Sequence, residues 1–179
     1  MGEPGMSAGA YPAPNEFRRD LAYSQRMGDA EFWDKIYRKA FPNLVNHMSC
    51  DGDFASQRMG IDRIIMLGNG QTLKIDEKKR RQDYSDILLE FVSNDATGAP
   101  GWMEKDLAID YLAYAFMQSK RCYLFPWPLL RRAWLHLGQG WRDTYPIKVA
   151  QNPGYKTLSV AVPIQVVRQS VSLAALIEL

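Results

Sequence analysis

The chain predicts an α/β fold, a mixed α+β sheet flanked by helices. Three observations carry this. The apolar share is 46% and the aromatic share 12%, enough for a real core and too much for a disordered chain. A length of 179 residues suits one domain and is short for two. Runs that alternate like strands stand between stretches with helical spacing, in the order helix, three strands, helix, strand.

Residues 1–15 are rich in Gly, Ala and Pro and predict a disordered leader, leaving 16–179 as a single domain. Phe17 to Met27 predicts a first helix, broken at Gly28. Asp29 is placed to cap a second, Ala30 to Ala40. There Phe32, Trp33, Ile36, Tyr37, Ala40 and Phe41 make a broad apolar face, and Pro42-Asn43 stops it. Asn46 to Met59 reads as a loop, with a short strand near Phe54.

Ile61 to Leu67 is a strand, Gly68-Asn69-Gly70-Gln71 a turn suited to positive φ, and Thr72 to Lys79 the returning strand. Asp86 to Ser93 is a third strand of buried character. After the loop Asn94–Gly101, Leu107, Asp110, Tyr111 and Tyr114 fall at helical spacing and predict a helix from Trp102 or Glu104 to Gln118. Arg121 to Phe125 is a strand. Pro126-Trp127-Pro128 opens a helix to about Leu137, followed by loop to Pro146. Lys156 to Val162 is a late strand, and Pro163 onward predicts a terminal helix.

The totals exclude several classes. Net charge is +2, so any nucleic-acid site must be a local basic patch. No apolar run reaches the roughly 18 residues of a membrane span; Val171 to Leu179 is too short. Two cysteines and no basic-then-apolar start point to a reducing, cytoplasmic setting. No Walker loop and no Gly-x-Ser-x-Gly is present. His47, Cys50, Cys122 and His136 fit no zinc spacing.

The chemistry concentrates on the hairpin. Side chains alternate across a strand, so Lys74, Asp76, Lys78 and Arg80 share one face, while Leu73, Ile75, Glu77 and Lys79 share the other. The turn between the two runs brings Asp62 toward Asp76. Converging carboxylates repel unless a cation neutralises them, and a hard divalent ion does so with one or two carboxylates plus waters and phosphate oxygens. Lys78 stands beside Asp76 to orient a water or neutralise developing charge. Asp86 and Glu90, on one face of the third strand, are further candidate ligands, with Glu90 preferred. Lys79, Arg80 and Arg81 extend the basic run that would hold phosphates. Arg131-Arg132 with Trp127 and Trp134, and Lys105 with Asp110, are lesser candidates for substrate contact.

An Asp in an apolar strand, a turn, then Asp-x-Lys in the next strand resembles the PD-(D/E)XK nuclease superfamily, and the small nuclease-like proteins of phage genomes within it. The resemblance implies a restriction-endonuclease-like core and a nuclease dependent on Mg²⁺ or Mn²⁺. Asp62 and Asp76 would hold metal, Asp76 and Lys78 would form the acid-x-Lys pair, and Glu31 or Asp34 would be the upstream helical acid. Two departures stand out: the spacer Glu77 is charged where the family has an apolar residue, and no proline precedes Asp62. Glu77 and Lys79 form an acid-x-Lys pair in the other register. Asp76/Lys78 is preferred because it leaves Leu73 and Ile75 for the core.

The expected partner is DNA, with RNA open, no membrane, and a homodimer among the open assemblies. Two readings compete with the nuclease. One is an inactive nuclease-fold protein that binds nucleic acid or a protein partner. The other is a solvated hairpin edge kept soluble by its charges.

Overall fold

Thr72–Arg80 crosses the centre of a six-stranded sheet, and both its faces are covered. The computed structural model describes residues 29–179; the expected leader 1–15 and the expected helix Phe17–Met27 lie outside the described residues. Helix α1 spans 29–40. It is followed by β1 (Leu44–Ser49), α2 (Phe54–Arg58), β2 (Arg63–Leu67), β3 (Thr72–Arg80), β4 (Asp86–Asn94), β5 (Ala99–Pro100) and a 3-10 turn, Trp102–Glu104. Then come β6 (Tyr111–Phe116), β7 (Arg121–Pro126), α3 (Trp127–Thr144), β8 (Ile147–Asn152), β9 (Tyr155–Pro163), α4 (Ile164–Ser170) and β10 (Ala175–Glu178).

The architecture is mixed α and β, with helices flanking a mixed sheet, but the strands form two sheets and not one. The first has the order β1-β2-β3-β6-β7-β10, the second β5-β4-β9-β8. Among the described residues, only β3 and β6 pair in parallel. A parallel pair needs a crossover. Here the crossover is residues 81–110, which carry β4, β5 and the 3-10 turn into the second layer.

Two apolar clusters hold the layers. On one side of the first sheet, Phe32, Trp33, Ile36 and Tyr37 of α1 pack on Ile65, Ile75, Ala113, Ala115 and Leu124. On the other, Leu112, Tyr114, Phe116, Tyr123 and Phe125 meet Ile87, Leu89, Val160 and Val162 of the second sheet, with α3 and α4. No helix among the described residues is long and apolar enough to cross a membrane.

The hairpin β2–β3 forms as its alternation predicts, with Arg63 opposite Ile75 and Met66 opposite Thr72. In its turn only Gly70 needs positive φ, at 84°. Asn69 instead accepts from the Gln71 N–H at 3.0 Å through its side chain.

Several expectations are corrected. The helix expected up to Gln118 is the 3-10 turn and β6. Its spacing matched a helix, but Leu112 to Phe116 are buried on both faces, the mark of a central strand beside a parallel neighbour. The expected loop after Asn46 holds β1 and α2. β1 is a half-exposed edge strand with no alternating signal of its own, defined by pairing to β2. The helix α2 is capped by Asp53, whose carboxylate accepts from Ala55 N at 3.1 Å and Ser56 Oγ at 2.6 Å. Most of the expected loop 138–146 is the end of α3, and the exposed edge strand β8 follows it, at positions where no element was expected. The terminal helix ends at Ser170, and β10 then pairs with β7.

Helix α3 runs on to Thr144, through Gly138 and Gly140. Gly138 is required by packing: a Cβ there would lie 2.8 Å from Cδ2 of the buried Trp134. Helix propensity alone would make alanine more stable by about 1 kcal/mol. The overlap with a ring that cannot move is expected to reverse that sign. Gly138→Ala should therefore lose about 1–3 kcal/mol in urea unfolding; a stabilised variant would contradict this packing.

Candidate functional site

The parallel register of β3 on β6 decides where its charges point. Asp76 lies beside Leu112 and Lys78 beside Tyr114, on the side facing the second sheet; Glu77 lies beside Ala113, on the side facing α1. The alternation read from the sequence thus separates Asp76 and Lys78 from Glu77 and Lys79. It gives each pair a different surrounding.

On the second-sheet side, Asp76 is 2% exposed. Its Oδ1 accepts from Lys78 Nζ at 2.6 Å, and its Oδ2 is buried with no hydrogen-bond partner. Asp62 sits just ahead of β2. Its N–H donates to Ile75 O at 2.9 Å, and its Oδ2 accepts the Glu77 N–H at 2.8 Å. These bonds aim the Asp62 carboxyl at Asp76. Burial pushes the Asp76 carboxyl up to about 7; the Lys78 charge opposes the rise and the Asp62 carboxyl adds to it.

Asp62, Asp76 and Lys78 line a cavity of about 160 Å³ with Gln57, Arg58, Gly60, Trp102, Lys105 and Leu107. Gly60 has φ +74°, and a Cβ there would come within 2.9 Å of Leu107, so glycine lets this wall close. Lys78 Nζ also stands 5.8 Å from the centre of the Trp102 ring. Glu90 reaches the neighbourhood from β4. Burial raises its carboxyl, and the charges of Lys78 and Lys105 partly oppose the rise. It is not among the residues lining the cavity.

The α1 side is a hydrogen-bonded network beside a larger cavity of about 440 Å³, lined by Asp29, Trp33, Asp51, Asp62, Arg63, Glu77 and Lys79. Arg63 Nε donates to Glu77 Oε1 at 2.5 Å, and the Tyr37 hydroxyl donates to the same oxygen at 2.8 Å. His47 stands between Arg63 and Asp34, with contacts of 3.1 and 2.9 Å. Lys79 is paired with Asp29. Both polar partners of Glu77 are satisfied here, and burial raises the Tyr37 hydroxyl well above its ordinary range. Asp34 also pairs with Arg38 and Glu31 with Lys35, so neither helical acid joins the Asp62–Asp76 cleft.

The basic run 78–81 is not one patch. Lys78 is paired with Asp76, Lys79 with Asp29, and Arg80 with Asp86 at 2.7 Å while stacking on Tyr84 at 3.4 Å. Arg81 is exposed, with no ion pair among the described residues. Trp127 and Trp134 are core residues, at 4% and 3% exposure. Asp110 accepts the Lys74 N–H at 2.7 Å and serves the sheet. Cys50 and Cys122 are buried in different clusters. Among the described residues, no group of three or more His, Cys, Asp or Glu is placed to hold a metal.

Lys105, one of the lesser candidates, does line the cleft. Gln57, Arg58 and Trp102 were not anticipated. The signal for the first two was available: Asp53 ahead of Phe-Ala-Ser-Gln-Arg is an N-cap in front of a helix. Trp102 is brought in by the crossover, which no local pattern announces.

Two outcomes follow. The Asp76 pKa is raised on folding, from an ordinary 3.8 to about 7. The folded state is therefore favoured most below about pH 4 and loses that advantage as pH rises through about 7. Asp76→Asn keeps the neutral shape. In EDTA its Tm is expected to exceed the wild type's at pH 8 and to converge on it at pH 4; a gap independent of pH would contradict the buried charge. Glu77→Ala should instead destabilise by about 3–5 kcal/mol in denaturant unfolding, because it strands Arg63 in a buried position.

Comparisons with family models, with curated proteins and with solved structures find no match. What the cleft does is therefore read from its own chemistry.

Proposed function

We propose that the protein is a metal-dependent nuclease that hydrolyses phosphodiesters in DNA, on a restriction-endonuclease-like core of the PD-(D/E)XK kind. One observation carries the reading. A buried carboxylate oxygen, Asp76 Oδ2, has no hydrogen-bond partner while a second carboxyl, Asp62, faces it beside a lysine. A solvated hairpin edge would leave that oxygen in water. A structural ion pair would satisfy it, as Glu77 is satisfied by Arg63 and Tyr37.

The donor set fits a hard divalent ion. Mg²⁺ needs only one or two carboxylates and completes its shell with waters and substrate oxygens, so a two-acid cleft suffices. Asp62 and Asp76 would hold Mg²⁺ or Mn²⁺, with Glu90 as the further candidate from β4. Such an ion supplies Lewis-acid stabilisation of the phosphate and a more acidic attacking water.

The chain's own residues do the rest. Lys78 brings an ammonium to the same wall, where it orients the attacking water and neutralises charge developing on the phosphate oxygens. The Glu77 N–H holds the Asp62 carboxyl in place. Gly60, Leu107 and Trp102 give the cavity an apolar stretch of wall beside the acids. Of the two acid-x-Lys registers, Asp76/Lys78 is the one we assign the chemistry, because Asp76 keeps an oxygen without a partner while Arg63 and Tyr37 hold the Glu77 carboxylate; Glu77 and Lys79 line the larger neighbouring cavity with Asp62.

Purified protein is expected to nick or degrade DNA with Mg²⁺ or Mn²⁺ and to be silent in EDTA. Asp76→Ala and Lys78→Ala should each lose at least ~100-fold in rate while staying folded by circular dichroism. An Asp76→Ala protein that cuts like wild type would sink the reading. A wild type with neither cutting nor calorimetric Mg²⁺ binding would favour the inactive nuclease-fold alternative.

A further inference from the structure

The cleft is too small for a nucleotide. At about 160 Å³ it holds a few water volumes, ~5 at ~30 Å³ each, which suits a hydrated ion and one phosphate group. The nucleoside on either side of that phosphate must lie outside, against the rim. The composition of the rim therefore bears on which form of nucleic acid fits.

One wall of the rim is α2. Gln57 and Arg58 line the cavity from its last turn. Phe54 lies one turn earlier, at i and i+4 with Arg58, so the two side chains share a helix face. Phe54 is 77% exposed, the largest exposure of any large apolar side chain described. Neighbouring positions on the helix behave ordinarily: Ser56 is buried and bonded to Asp53. The short helix thus holds a bare aromatic ring in water beside a cation.

The charges around it suit a polyanion. Arg58 and Lys105 flank the cleft, exposed and without ion pairs among the described residues, while Lys78 is inside. The acid nearest Phe54 in sequence, Asp53, is spent on capping α2. A flat apolar ring next to unpaired cations is the pairing that binds single strands: cations take the backbone and the ring takes a base face. A duplex keeps its bases stacked on one another and offers no free face to Phe54.

We infer that Phe54 is a stacking platform for an unpaired base next to the scissile phosphate, with Arg58 and Lys105 holding the flanking backbone, so that the substrate is single-stranded DNA. This rests on the reading that the Asp62–Asp76 cleft takes a phosphodiester. Phe54 is a positioning residue; it touches the substrate away from the reacting atoms.

The test is fluorescence anisotropy in EDTA, where cutting is off, with dye-labelled dT12, a matched 12-base-pair duplex, and a dT12 strand abasic at its central positions. Wild type is expected to bind dT12 more tightly than the duplex. Phe54→Ala should weaken dT12 binding about tenfold, Phe54→Trp should restore it, and the two proteins should bind the abasic strand alike. Arg58→Ala should weaken binding to intact and abasic strands by the same factor and flatten the salt dependence. The inference is overturned if Phe54→Ala binds dT12 as wild type does, if its loss is equal on the abasic strand, or if the duplex binds more tightly. Cutting assays in Mg²⁺ separate the two claims. Base-dependent binding without cutting keeps the platform and removes the nuclease; cutting with Phe54-independent binding does the reverse.

Discussion

The parallel pairing of β3 with β6 is the constraint on which the rest depends. It sets Ile75–Arg80 beside Tyr111–Phe116 at the centre of the first sheet, with α1 over one face and the second sheet over the other. A strand so placed is normally a continuous apolar run. This one reads Ile-Asp-Glu-Lys-Lys-Arg. Every charge taken into that position must find a partner, because an uncompensated buried charge costs several kcal/mol.

The chain meets that demand charge by charge. Glu77 is neutralised by Arg63 and held by Tyr37, Lys79 by Asp29, Arg80 by Asp86, and Lys78 by Asp76. The partners come from α1, β2, β3 itself and β4, so the charged strand ties together the elements around it. Within β3 the remainder falls on the second oxygen of Asp76; among the described residues, Arg131 Nη1 and Arg142 Nε are also buried without a partner, both on α3. Beside the Asp76 oxygen stands a second carboxyl that raises the cost further. Stability alone would favour an asparagine there. Unsatisfied groups of this kind cluster where a fold serves chemistry.

The crossover explains how the cleft is finished. Joining β3 to a parallel β6 obliges the chain to leave the sheet and return. On the way it builds β4 and β5 and returns through Trp102, Lys105 and Leu107, three of the residues that wall the cavity. The opposite wall, α2 with Gly60, comes from the segment before β2. The hairpin supplies the acids, and the connections on either side supply the enclosure and the free cations at its rim.

The sequence by itself determined the hairpin and the division of its side chains. Alternation of polar and apolar residues from Thr72 to Asp76 and a Gly-Asn-Gly turn are local facts, and a period of two leaves no freedom about which residues share a face. That was enough to put Asp62, Asp76 and Lys78 together and to keep Ile75 in the core. It was not enough to choose between Asp76 and Glu77. Both faces of β3 carry an acid and a lysine, and only the layers packed on them distinguish a satisfied glutamate from an orphaned aspartate. Nor could spacing tell the strand β6 from a helix, since Leu107, Asp110, Tyr111 and Tyr114 fit a helical period while the run Leu112–Phe116 is buried on both faces. Edge strands β1 and β8 carry no pattern of their own and exist through their neighbours. Pairing partners, burial on a given face and the walls of a cavity are properties of residues far apart in the chain, and tertiary structure alone brings them into contact.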